Sequence, residues 1–100
     1  MVKKNKKMVP GLLLLPDFSI EEIFPDRKDG TYSLGFLQKI VGGLIQIVYL
    51  DEDKFGGISM VMVVNEEGLL ENLPVNIMAS EVYGSMIVGP AIIVGNKQIY

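Results

Sequence analysis

Leu37-Gln38-Lys39-Ile40-Val41-Gly42-Gly43-Leu44-Ile45-Gln46-Ile47-Val48-Tyr49-Leu50 changes its period at the glycine pair. Up to that pair, Leu34, Leu37, Ile40 and Val41 recur at helical spacing, which puts one apolar face on a helix. Thr31 or Ser33 supplies the N-cap, because a hydroxyl oxygen accepts an otherwise unpaired backbone N–H. Gly42-Gly43 ends the helix, since glycine takes the left-handed conformation a C-cap needs. A helix this short holds only by packing on something else. After the pair, Leu44–Leu50 reads as a strand with apolar residues on both faces. Ile45, Ile47 and Tyr49 point one way, and Leu44, Val48 and Leu50 the other, with Gln46 between them.

A sheet buried on both faces needs a cover on each. The helix covers one. A second copy of the chain is the expected cover for the other, which predicts a homo-oligomer, most simply a dimer. The apolar content points the same way: 49% of the 100 residues are apolar, more than a core this small readily hides.

The remaining elements follow outward from the quoted stretch. Asp51-Glu52-Asp53-Lys54 and Gly56-Gly57 read as a charged hairpin loop, and Ile58–Asn65 as the next strand. Upstream, Met8–Leu15 reads as a first strand, with Pro10 confined to its start or to an edge. Pro16-Asp17 marks a turn, and the stretch from Phe18 to Phe24 around Glu21-Glu22 pairs back as a hairpin. Pro25–Gly30 is a polar loop. Downstream, Asn65-Glu66-Glu67-Gly68 is a turn and Leu69–Pro74 is irregular. Asn76 or Val75 opens a short second helix through Tyr83, with Ile77, Met78, Ala79 and Val82 as its apolar side. Met86–Val94 reads as one long last strand, with an edge or bulge at Pro90, and Ile99-Tyr100 as a stub. The expectation is an α+β domain over residues 8–100: a small, mostly antiparallel sheet of about five strands, one main helix and a short second one.

Charge is unevenly placed. Lys3, Lys4, Lys6 and Lys7 form a basic tail over residues 1–7, and the other five cations face all twelve carboxylates. The acidic body repels a phosphate backbone, so it is not expected to bind duplex nucleic acid. No apolar run is long enough to span a bilayer, and the apolar stretch after the tail lacks a small-residue cleavage site, so neither a membrane segment nor a signal peptide is expected. The absence of cysteine fits a reducing cytoplasm.

The chain has no His, Cys or Trp. Composition therefore excludes a Ser-His or Cys-His nucleophile and a Cys/His zinc site. Enzymatic activity and a cofactor are not expected. Asp51-Glu52-Asp53 lacks the alternating spacing of a calcium loop and reads as a solvated turn. Glu66 and Glu67 are neighbours on an extended chain, which points them apart rather than into an acid–base pair. Val41-Gly42-Gly43 follows a helix, whereas phosphate cradles precede one. What remains is binding chemistry. Asn65 and Asn76 each offer a donor and an acceptor, suited to a base or amide edge, or to a cap. Tyr32, Tyr49 and Tyr83 offer rings for stacking or packing. Lys39 is the best-placed cation for a phosphate. The candidate ligand-binding set is Lys39, Tyr49, Asn65, Glu66, Asn76 and Tyr83.

Taken together, Leu37-Gln38 with Ile40-Val41-Gly42-Gly43, then Asn65-Glu66-Glu67-Gly68, Leu73-Pro74 with Asn76 and Ala79, and finally Gly95, resemble the family catalogued as domain of unknown function 3846. The resemblance runs from about Leu12 to Gly95. It implies no activity. It implies a context, because members look like small proteins of phages, plasmids and other mobile elements. Basic residues often follow the Leu-Pro-x-Asn element there, and this chain has Ile77 and Met78 instead. Two roles follow as expectations. One is a homo-oligomeric binder that sequesters a nucleotide immune signal of the host. The other is an acidic module that inhibits or modulates a host protein.

Overall fold

The computed structural model describes residues 8–99, so the basic tail at 1–7 lies outside it. Five strands form a single sheet: β1 (Gly11–Leu14), β2 (Ile20–Ile23), β3 (Ile45–Tyr49), β4 (Met60–Asn65) and β5 (Ala91–Gly95). Their spatial order is β2-β1-β5-β4-β3, and every pairing is antiparallel. Two helices accompany it, α1 (Leu34–Val41) and α2 (Ile77–Tyr83). The expected α+β architecture is the one observed.

The pairing rests on two local hairpins and one long-range insertion. β1 pairs with β2 across the Pro16-Asp17 turn, and β3 with β4 across the charged loop. The two hairpins do not pair with each other. β5 lies between them, hydrogen-bonded to β1 on one side and to β4 on the other.

The last strand corrects the sequence reading. Met86–Gly89 is not part of it. Gly89 has φ +78°, which breaks an extended run, and Pro90 follows. The strand is also central rather than at an edge, and it tolerates Pro90 only by starting after it. In that register Pro90 would face Asn65, and proline has no N–H to offer. The Asn65 carbonyl instead accepts from the Gly68 N–H at 3.3 Å.

Register sorts the core into two layers. Leu13, Val61, Val63, Ile92 and Val94 pack under α1 through Leu37 and Val41, with Tyr32. Leu14, Val48, Met62, Val64, Ala91 and Ile93 form the other layer. Ala79, Met78 and Val82 of α2, together with Ile87, cover it. The cover on this core layer comes from the chain's own α2 and Ile87, where a second subunit was the expected cover. Two single positions also differ. Leu34 and Ile77, placed on apolar helix faces, are 40% and 50% exposed. Both are first helical residues, where the face has not yet turned toward the sheet.

Ser33 is the cap of α1, its Oγ accepting from the Phe36 N–H. Ser33 is itself held: its N–H and Oγ–H both donate to Asp26. Partial desolvation works against that carboxylate, but the bonds from Ser33 prevail and hold it below the usual range. Gly42, at φ +83°, closes the helix and sends its N–H to the Gln38 carbonyl. The charged loop is more ordered than expected: Glu52–Phe55 forms a 3-10 turn capped by Asp51.

Tyr32 locks the outer hairpin. Its ring is fully buried, and its hydroxyl accepts from the Gly11 N–H at 2.7 Å and donates to the Ile23 carbonyl. The phenol thus sits inside the last rung of the β1–β2 ladder, and a side chain at position 11 would strike it: a Cβ there lies 2.9 Å from the hydroxyl and 2.7 Å from Val94. Desolvation raises the phenol above its ordinary pKa of 10.0, the bond from Gly11 opposing and the Asp26 charge adding. A group whose folded pKa is raised loses stability as pH rises past its unfolded value. Tyr32→Phe is expected to cost about 1–3 kcal/mol at neutral pH, since it orphans the Gly11 N–H. The difference from the parent should narrow above about pH 10. Urea unfolding at pH 7 and pH 10.5 checks both.

Candidate functional site

Asn65 ends β4 and begins a joint. Its Nδ2 donates to the Val41 carbonyl at the end of α1 (3.2 Å) and to Glu71 (3.4 Å). Its Oδ1 accepts from the Glu67 N–H at 2.7 Å. One amide therefore ties the helix end, the strand end and the turn after it. The glycines beside it leave the necessary room. A Cβ on Gly43 would lie 3.1 Å from the Asn65 Nδ2, and one on Gly68 would lie 2.6 Å from Val88. Glu66 N–H reaches back to the Leu44 carbonyl, which lengthens the hairpin by one rung.

Asn76 makes the second joint. It is fully buried and caps α2, with Oδ1 accepting from the Ala79 N–H at 3.0 Å. Its Nδ2 donates to Leu14 at 2.9 Å and to Gly89 at 2.8 Å. These are the carbonyls at the end of β1 and just before β5. Both asparagine amides are committed within the chain, at both ends of the side chain. Leaving a buried carbonyl or N–H unpaired costs about 1–3 kcal/mol each.

Beside the Asn65 joint lies an open groove of about 370 Å³. Its floor is Val64 and Gln46 from the second sheet face, and one wall is Ile87 and Val88. Its rim carries Leu69, Leu70 and Met86, exposed by 67%, 83% and 59%. Glu66 and Glu67 are the charged residues in the lining, and no lysine or arginine is among them. The arrangement offers apolar contact beside negative charge.

Of the residues singled out from sequence, the structure brings Asn65 and Glu66 together here. Lys39 is exposed in the last turn of α1. Tyr49 is exposed at the end of β3, and Tyr83 ends α2. Asn76 is interior. None of these four lines the groove. Leu69, Leu70 and Met86 were not among the sequence candidates. Their signal was present, a Leu-Leu pair in a stretch with no strand or helix period to bury it. Among the described residues no helix is long and apolar enough to cross a membrane, and no three carboxylates gather as a metal-holding group.

Comparison places the chain in a family. It belongs to the family described as "Domain of unknown function (DUF3846)", which matches residues 16–99. No curated protein and no solved structure matches the chain. The elements that carry the family resemblance, Gly42-Gly43, Asn65 to Gly68 and Asn76, are the joints just described. Asn76→Ala is therefore expected to destabilise the fold by more than about 2 kcal/mol, and Gly68→Ala by about 1–3 kcal/mol through overpacking against Val88. Chemical denaturation of each variant reads the loss.

Proposed function

We propose that this member of the DUF3846 family is a non-catalytic accessory protein of a mobile genetic element, and that it binds and modulates a host protein through the groove beside Asn65. The observation that carries the reading is the rim: Leu69, Leu70 and Met86 stand exposed beside Glu66 and Glu67, with no cation in the lining. Exposed apolar side chains clustered at one groove suit a protein partner. The carboxylates select a partner segment that carries lysine or arginine next to its apolar anchors, and they speed its approach. The excess of carboxylates over the body of the chain acts in the same direction.

The sequestration of a nucleotide draws less support from the same site. The groove has a suitable size for a small molecule. Its charged lining groups are carboxylates, which repel phosphate, and the amide of Asn65 is already spent on Val41, Glu71 and Glu67.

Leu70→Ser and the pair Glu66→Lys with Glu67→Lys change only exposed side chains, so the fold is expected to survive both. Affinity capture from host lysate, followed by titration of the captured protein, should show a basic partner for the parent chain. Each variant should weaken that partner at least tenfold, a change of about 1.4 kcal/mol. Thermal shift against a panel of cyclic and linear nucleotides should be flat. A clear nucleotide-dependent shift, with no partner captured, would reverse the reading in favour of sequestration.

A further inference from the structure

The two edges of the sheet are not alike. β2 is Ile20-Glu21-Glu22-Ile23, with both carboxylates exposed. Two such strands brought together would set glutamate against glutamate, which is how natural edges avoid pairing. β3 is Ile45-Gln46-Ile47-Val48-Tyr49, with no charge, no proline and no bulge. It has strong strand-forming side chains and none of the usual protections of a free edge.

The hydrogen bonds show which groups that edge presents. Leu44 O accepts from Glu66 N, and Leu50 N donates to Met60 O. Antiparallel pairs alternate, so the even-numbered residues of β3 turn their backbone groups toward β4. Ile45, Ile47 and Tyr49 turn their N–H and C=O groups outward.

We propose that β3 pairs with β3 of a second copy of this chain, antiparallel about a twofold axis through Ile47, joining the two sheets into one. The sequence suits that partner. Centring on Ile47 sets Ile45 against Tyr49 and Ile47 against its own copy. These are the residues with outward-facing groups, and each such pair exchanges two backbone hydrogen bonds. Ile45 then meets Tyr49, Ile47 its own copy and Leu44 Leu50, all apolar, while Gln46 lies opposite Val48; Leu44 and Tyr49, now 53% and 69% exposed, gain cover. The same register places Asp51 of one copy opposite Gly43 of the other, beside the last turn of α1 that carries Lys39. The acidic loops do not face each other. This interface uses the strand edge and not the groove rim, and it does not rest on the protein-binding reading.

Sedimentation equilibrium and amide hydrogen exchange on the full chain test it. The expected mass is twice the chain's 11.0 kDa, falling to one chain on dilution. The Ile45, Ile47 and Tyr49 amides should be protected in the dimer and exchange freely in the dilute monomer. Ile47→Lys sets two cations face to face at the twofold and should raise the dimer dissociation constant at least tenfold. Ile47→Thr, uncharged and β-branched, should leave it within a few-fold. If Ile47→Lys proves unfolded by circular dichroism, Tyr49→Pro decides in its place, because it removes an outward donor and no bond to β4. A parent chain that stays monomeric overturns the proposal. So does a dimer whose three amides exchange as free, a dimer indifferent to the substitutions, or a monomer whose β3 amides gain protection only from another protein.

Discussion

The sheet depends on one insertion. β1 and β2 pair locally, and so do β3 and β4, yet neither hairpin has the other for a neighbour. Ala91–Gly95 joins them by bonding to both. A two-stranded hairpin is marginal in water, so each half gains its stability from the strand that arrives last. That strand brings Ile92 and Val94 to the layer under α1, and Ala91 and Ile93 to the layer under α2. Both cores are completed by the same segment. β1 and β5 lie near opposite ends of the chain, so their pairing closes a long loop, and folding should be slower than for a helical chain of equal length.

Asn76 holds that insertion in register. Its amide reaches the end of β1, the Gly89 carbonyl two residues before β5 and the start of α2 in one buried cluster. Asn65 does the same for α1, β4 and the turn beyond. Buried polar groups stabilise only when fully partnered, and these two are. The consequence for function is direct. The residues that look most chemical in the sequence are engaged in holding the chain together. The exposed surface of the groove is made of plainer ones, leucines and a methionine beside glutamates.

The two halves of the functional reading sit on different parts of the molecule. The groove lies on the second sheet face beside the Glu66–Leu70 turn. Among the described residues, β3 is an edge strand of the sheet with no strand paired on its outer side. Pairing through the edge would place two grooves on one extended sheet. A partner with repeated basic segments would then engage both, and two linked sites bind more tightly than either alone.

Much of the fold was legible in the chain. The helical spacing of Leu37, Ile40 and Val41, the Gly42 stop and the alternation in β3 and β4 are local, and local geometry decided them. The first hairpin followed from Pro16-Asp17 for the same reason. The apolar run from Met86 to Val94 did not reveal its break at Gly89, which takes φ +78° and whose missing Cβ leaves room for Leu73, 2.7 Å from where that Cβ would stand. Nor did Asn76 disclose its role. An asparagine suits a cap or a ligand equally well by its chemistry. Its bonds to Leu14 and Gly89 exist only once strands from both ends of the chain lie side by side. The sequence by itself determined the elements, since those are set by residues a few positions apart. The tertiary structure decided which face α2 covers, which strand stands at the sheet's edge and which apolar side chains stay exposed at the groove, because each depends on contacts between segments distant in the chain.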